Sequence, residues 1–237
     1  MHSMLSAARA RRRLLAGLSA AAVLITAGMS ALSQSPAVND KDRALIAAAS
    51  RGDAAAVERL LREGASVHAA DGDGVTALIA AAYKNRLEVA RLLISAGADV
   101  NRQDQTRQSA YLISTSDGYA ELLRLTLANG ADVHSTDSYN GTGLIRAADR
   151  GHAEVIRELL KTPIRIDHVN RLGWTALLEA IILGDGGPRH TETVRLLVTA
   201  GANVNLADRG GVTPLAHAKR RGFKAMVAIL EHAGGRA

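Results

Sequence analysis

Cysteine is absent from this chain of 237 residues. That excludes a disulfide framework, a thiolate-ligated metal, a cysteine nucleophile and a lipid anchored on cysteine. Aromatic residues are nearly as scarce, at 3% against 47% apolar residues in all. A core so poor in rings is filled by Leu, Ala, Val and Ile, which suits close-packed helices better than a β-sandwich. Proline is also rare, with 4 residues.

Acid is missing from one stretch in particular. Residues 1–33 hold Arg9, Arg11, Arg12 and Arg13 and no carboxylate, so the net charge of +6 shrinks to 25 basic against 23 acidic residues beyond them. The remainder makes no electrostatic case for nucleic acid. The arginines precede the apolar run Leu14–Ala27 and then small and polar residues, the layout of a secretory signal peptide. As a helix, 14 residues rise about 21 Å, short of the ~30 Å that a membrane-spanning alternative needs. Cleavage is expected after Ala31-Leu32-Ser33, with Ser35-Pro36-Ala37 as second choice. Arg11-Arg12-Arg13-Leu14-Leu15 also resembles a twin-arginine export signal, and the ordinary secretory route stays open. Residues 34–39 read as a linker, and the exported chain is expected in the periplasm or outside the cell, without stable membrane insertion.

What is present in abundance is repetition. Gly64-Ala65, Gly97-Ala98 and Gly130-Ala131 recur every 33 residues, Pro163-Ile164 takes the same place next, and Gly201-Ala202 follows after 38. Thr76, Ser109, Thr142, Thr175 and Thr213 show the same spacing with the same five-residue slip. Two unrelated marks sharing one period and one slip define six units, over 40–70, 71–103, 104–136, 137–169, 170–207 and 208–237. Within a unit, Asp71-Gly72-Asp73-Gly74 is turn chemistry. A helix then starts at Thr76 with Ala77, Leu78, Ala81 and Ala82 on its apolar side. Asn85 is expected to stop it in a left-handed conformation, and Glu88–Ser95 forms the second helix before Gly97.

These residues resemble the ankyrin repeat. The matching motifs are Gly74-Val75-Thr76-Ala77-Leu78, Gly97-Ala98-Asp99-Val100-Asn101, Gly151-His152-Ala153-Glu154-Val155, Gly201-Ala202-Asn203-Val204-Asn205 and Gly211-Val212-Thr213-Pro214-Leu215. The resemblance covers residues 40–237 and implies an all-α solenoid of about six helix-turn-helix repeats with short hairpin tips. The first unit opens directly at Ala44-Leu45 and the last carries Lys219, Arg220, Arg221 and Lys224, as solvated end caps should. Arg107 stands where the pattern expects Gly, and Pro163 replaces a capping glycine, so that unit's second helix is expected to end early.

By that resemblance, turn tips and first helices line a concave face that recognises a protein partner. The corresponding positions are Val75, Gln108, Gly141, Trp174 and Val212 before the Thr, with Tyr139 among the turn residues. After the Ala-Ala pair come Tyr83 and Lys84, Ser116 and Asp117, then Asp149 and Arg150. Trp174, the only tryptophan, is expected to face solvent as a binding hot spot, with Tyr83 and Tyr139 extending the face. Tyr111 falls on an inward position and is expected in the core. The resemblance also implies exported bacterial relatives that assist or protect periplasmic enzymes, some in peroxide defence, or neutralise toxins. An effector delivered into host cells would need another export route.

The five-residue slip falls at Gly184-Asp185-Gly186-Gly187-Pro188-Arg189-His190, between two helices. It reads either as a tolerated insertion or as a second site, a small-anion clamp or weak catalytic centre using Asp185, Arg189, His190 and Glu179. No catalytic motif supports an enzyme: no Gly-x-Ser-x-Gly elbow, Walker loop or His-Glu-x-x-His helix occurs. Asp71–Gly74 lacks the further ligands of a calcium loop, and His68 and His134 lie two repeats apart, roughly 20 Å, too far to share a metal. His217 has no partner visible in the sequence. The expectation is a monomeric binding protein without metal or cofactor.

Overall fold

The computed structural model describes residues 39–237; the expected leader, and all of the expected linker except Asn39, lie outside the described residues. The described residues form six pairs of helices with no β-strand, an all-α solenoid. The pairs are α1 (Asp40–Arg51) and α2 (Ala54–Arg62), α3 (Ala77–Tyr83) and α4 (Leu87–Ser95), α5 (Ala110–Asp117) and α6 (Ala120–Ala128). Then come α7 (Gly143–Arg150) and α8 (Ala153–Leu159), α9 (Ala176–Ile182) and α10 (Pro188–Thr199), α11 (Pro214–Arg220) and α12 (Lys224–His232).

Four of the six first helices start at a hydroxyl that caps them. Thr76, Ser109, Thr175 and Thr213 hold extended backbone, and each side chain accepts from the N–H three residues on. Asn39 does the same for α1, accepting from Asp42 N–H. As expected, Asn85 takes a left-handed φ of 49° after α3, and α8 ends at Leu159, ahead of Pro163.

First helices pack on first helices of neighbouring pairs, second helices on second helices, and each helix on its own partner. That leaves the first layer covered on nearly all sides. Ala77 through Ala82 of α3 and all of Ala176–Ile182 are buried, including pairs of alanine that let helix axes approach. The second layer is amphipathic, with Val89, Leu93, Leu122, Leu123, Val155, Ile156, Val194 and Leu197 inward. The core is therefore a strip running the length of the stack.

One glycine shows how local fit is achieved. Gly143 opens α7, where α3, α5 and α9 have Ala and α11 has Pro. A Cβ there would stand 2.5 Å from the Tyr111 hydroxyl and 2.9 Å from Thr115 Cγ2. Tyr111 occupies the column held by Leu78, Leu144, Leu177 and Leu215, is fully buried as expected, and reaches the Val133 carbonyl at 3.3 Å. Burial pushes its phenol above the ordinary tyrosine range, with the nearby Asp132 charge adding to it.

Candidate functional site

The face made by hairpin tips and first helices is organised by one recurring residue. Asp71, Asp104, Asp137, Asn170 and Asp208 stand at the start of successive hairpins, and the Oδ1 of each accepts from two backbone N–H groups, two and four residues ahead. The acceptances are from Asp73 and Val75 at 2.9 Å each, from Thr106 and Gln108 at 2.9 Å each, and from Tyr139 and Gly141 at 2.8 Å each. The series ends with Leu172 at 2.9 Å and Trp174 at 3.1 Å, then Gly210 at 2.8 Å and Val212 at 3.0 Å. Such an Asx turn satisfies the tight loop from within. It also explains Asp71-Gly72-Asp73-Gly74 without calcium. The fourth tip residue takes positive φ whether it is Gly74, Gly173 and Gly211 or the non-glycines Arg107 (61°) and Asn140 (59°).

With one atom of the Asx side chain committed, the other is free to meet a side chain of the first layer. Asp104 Oδ2 accepts from the Tyr83 hydroxyl at 2.8 Å, Asp137 Oδ2 from Arg146 Nη1 at 2.8 Å, and Asp208 Oδ2 pairs with His217 Nε2 at 2.8 Å. At the fourth hairpin the polarity inverts, and Asn170 Nδ2 donates to Glu179 Oε1 at 2.6 Å. Arg146, Glu179 and His217 sit nine residues after their Asx partners, in the column that holds Ala80 and Ile113 earlier. All three are buried. Arg146 also reaches Gln108 Oε1 at 3.5 Å, linking the third and fourth units.

The charges answer one another. Burial, and then the hydrogen bond and negative charge of Asp104, push the Tyr83 phenol above its ordinary range. For Asp208 burial opposes ionisation, yet the Val212 N–H, His217 and the Gly210 N–H together hold its carboxyl below the usual range. Sequence reading missed Arg146 and His217. The signal was there, a polar residue at fixed offset from an Asx in an otherwise apolar column, but reading it requires knowing that the two positions face each other.

The face expected to bind is only partly exposed. Trp174 is 3% exposed, so it is not a solvent-facing anchor. The reason is its place in the hairpin stem: its N–H goes to Asn170 Oδ1, and its carbonyl accepts from Asn170 N–H at 3.0 Å. Neighbouring hairpins join across the stem, Arg171 N–H to Tyr139 O and Gln105 N–H to Asp73 O, each 2.9 Å. A large side chain between stacked hairpins is covered. Gln108, in the same column, and Asp149, on α7, are buried as well, contrary to their reading as recognition residues. Tyr83 and Lys84 are exposed, and Tyr139 and Arg150 half-buried.

The insertion adds order. Residues Pro188–His190 extend α10 by a turn, and His190 falls in the column of Arg86, Tyr119, His152 and Phe223 before the second helices. This column reaches back to the preceding unit. Arg86 Nε donates to Ser50 O at 3.3 Å, while His152 and His190 Nε2 meet Ser116 O at 3.1 Å and Asp149 O at 3.2 Å. Burial pulls the His152 imidazole below its ordinary range, against the pull of the Ser116 carbonyl. His190 Nδ1 meets Asp185 Oδ1 at 3.0 Å, which also accepts from Gly187 N–H at 2.9 Å. The Gly187 N–H, then His190, hold the Asp185 carboxyl low.

From the other side, Arg221 Nη2 donates to Gly184 O at 2.8 Å and lies 4.7 Å from the Phe223 ring centre, against which Gly186 packs. Arg189 donates to Arg150 O at 2.6 Å. Asp185, Arg189 and His190 are thus drawn into a clasp between units. Glu179 belongs to the hairpin network with Asn170, so the four do not converge on one site.

The comparisons agree with this geometry. A family described as "Ankyrin repeats (3 copies)" matches residues 13–104 and 111–208. Among solved structures, an ankyrin repeat domain from Acinetobacter baumannii AYE is 46% identical with TM-score 0.78, covering 81% of this chain and 98% of that one. The ankyrin repeat protein EF0377 is 33% identical with TM-score 0.77, covering 80% and 97%. The human ASB11 ankyrin repeat domain is 25% identical with TM-score 0.69, covering 81% and 84%. The ankyrin repeat protein YahD of Escherichia coli (strain K12) is 45% identical over 73 residues, which are 31% of this chain and about a third, 36%, of YahD. Ankyrin repeats are protein–protein interaction modules. With Asx hairpins, paired helices and a matched length reaching from residue 13 to 208, the chain belongs to the ankyrin-repeat family.

Proposed function

We propose that this protein is exported and binds a protein partner in the periplasm or outside the cell, through the face of hairpin tips and first helices. The observation that carries the reading is the sorting of side chains on that face. A rigid, hydrogen-bonded floor of Asp104, Asp137, Arg146, Asn170 and Glu179 supports Tyr83, Lys84, Tyr139 and Arg150 at its surface. Recognition by side chains held on rigid elements loses little ordering entropy on binding. Export rests on the arginine-led leader. Assisting or protecting a periplasmic enzyme, including one of peroxide defence, is the form of activity that the resemblance supports.

The test is crosslinking and capture from the periplasmic fraction, comparing the natural protein with Tyr83→Ala/Tyr139→Ala. The expected result is one discrete protein recovered by the natural chain and lost by the variant. Recovery that both share equally would remove the face from the reading. Retention of the full-length chain in the cytoplasm would remove export.

A further inference from the structure

Cations on the two sides of the stack are treated differently. Along the second helices most are neutralised within the molecule. Arg124 meets Glu154 at 2.6 Å and Glu158 at 3.0 Å, Arg157 meets Glu192 at 2.6 Å, Arg195 meets Glu192 at 3.4 Å and Lys161 meets Glu158 at 2.8 Å. The pairs of Arg124 and Arg157 join the third, fourth and fifth units into a ladder, and those of Lys161 and Arg195 lie within their own units. Arg59 lies 3.6 Å from Glu63 of its own unit, and exposed Arg62 and Arg91 make no ion pair among the described residues.

On the hairpin and first-helix side the arrangement is reversed. Lys84, Arg107, Arg150, Arg171 and Arg209 make no ion pair among the described residues, and all but half-buried Arg150 are exposed. The acids that would answer them face inward. Asp104, Asp137, Asp149 and Glu179 are buried and Asp208 is half-buried, the Asx members already accepting backbone N–H groups. Asp73, Asp117 and half-buried Asp71 remain near the surface there, with exposed Asp40 paired to Arg43 on α1. Arg107 is placed at its tip by a left-handed backbone, φ 61°, that costs an L-residue about 1 kcal/mol. Arg209 lies over Gly173, and Arg171 steadies itself with one bond, Nη1 to Ser138 O at 2.9 Å. Apart from buried Arg146, most cations of this face are turned out and most of its acids in.

We propose that this face takes an acidic segment of a protein, its carboxylates pairing with Arg107, Arg171 and Arg209 across the tips and with Lys84 and Arg150 at the ends of α3 and α7. The proposal rests on the binding face inferred above and names the chemistry of its partner. A guanidinium fork matches a carboxylate with two parallel hydrogen bonds. Nucleic acid fits less well. Residues beyond the leader are nearly balanced in charge, and Asp73 and Asp117 interrupt the cations, so a continuous phosphate chain would meet them too. A polypeptide can set a neutral side chain at those points.

The test uses residues 38–237, which form a compact unit with their own core. A labelled 20-residue poly-glutamate peptide is titrated at low salt and followed by fluorescence anisotropy, with 20-nucleotide single-stranded DNA as the competing probe. The expected result is saturable peptide binding that weakens tenfold or more in Arg107→Gln/Arg171→Gln/Arg209→Gln. Arg62→Gln/Arg91→Gln should change it less than twofold, both variants keeping the helical circular dichroism of the parent. Equal weakening by both variants, no saturable binding, or tighter binding of DNA would each overturn the proposal. A partner captured through Tyr83 whose binding ignores the tip arginines would overturn it too, while leaving the binding face intact.

Discussion

Asn170 donates its side-chain N–H to Glu179 at 2.6 Å, in the place where the hairpins on either side use Asp137 to hold Arg146 and Asp208 to hold His217. The Asx residue changes from acid to amide where its partner changes from a nitrogen side chain to a carboxyl. Two opposed carboxylates in a site this buried could not both ionise at tolerable cost.

Asn170→Asp is therefore expected to lower stability by about 3–5 kcal/mol at neutral pH, the range for an uncompensated buried charge. One carboxyl of the new pair would hold its proton in the fold and lose it on unfolding. The loss should thus grow as pH rises above the ordinary carboxylate range and shrink as pH falls through it. Chemical denaturation across pH 4–8 measures this. The double variant Asn170→Asp/Glu179→Arg, a copy of the Asp137–Arg146 pair, should recover part of the loss, and a flat pH profile would contradict the account.

Gly143→Ala gives a test of fit against propensity. Alanine is the better helix former by about 1 kcal/mol, but its Cβ would meet the Tyr111 hydroxyl at 2.5 Å. The collision should prevail, with a net loss of about 1–3 kcal/mol. Adding Tyr111→Leu, the residue type of the equivalent column, should recover part of the loss, the Thr115 Cγ2 contact at 2.9 Å remaining. Thermal melts of the single and double variants decide it.

Trp174 and Tyr83 should separate stability from binding. Trp174 is buried in the hairpin stem, and Trp174→Ala is expected to cost about 3–5 kcal/mol. Tyr83→Ala removes an exposed ring and one hydrogen bond to Asp104, a loss of about 1 kcal/mol. A melting shift larger for Tyr83→Ala than for Trp174→Ala would reverse this assignment.

Acid should loosen the last hairpin. Burial works against the Asp208 carboxylate, but Val212 N–H, His217 and Gly210 N–H hold it below the ordinary range. Its contribution is therefore complete above the unfolded carboxyl's range and lost as pH falls through the lower folded value. Asp208→Asn should flatten that part of the stability profile below about pH 4. Hydrogen exchange of the Gly210 and Val212 amides, which donate to Asp208, should quicken over the same interval in the natural chain.

The repeat was legible in the chain because a period of 33 residues with one shared slip reports a unit that must stack on copies of itself. Fold class, helix starts at Thr76, Ser109, Thr175 and Thr213, the stop at Asn85 and the early end before Pro163 all follow from local chemistry. The site was less legible. Trp174 and Gln108 were read from a turn position, but exposure there is decided by the hairpins stacked on either side, which local sequence does not contain. His217 found its partner only when α11 folded back beside Asp208. The insertion likewise reads as loose glycine-rich loop until Phe223 and Arg221 from the next unit close on Gly186 and Gly184. What the sequence by itself determined was the unit and its period, since capping, turns and helical periodicity act within a few residues. The tertiary structure alone decided which polar side chains are buried and paired and which remain for a partner, because burial is a property of neighbouring units and not of the residue.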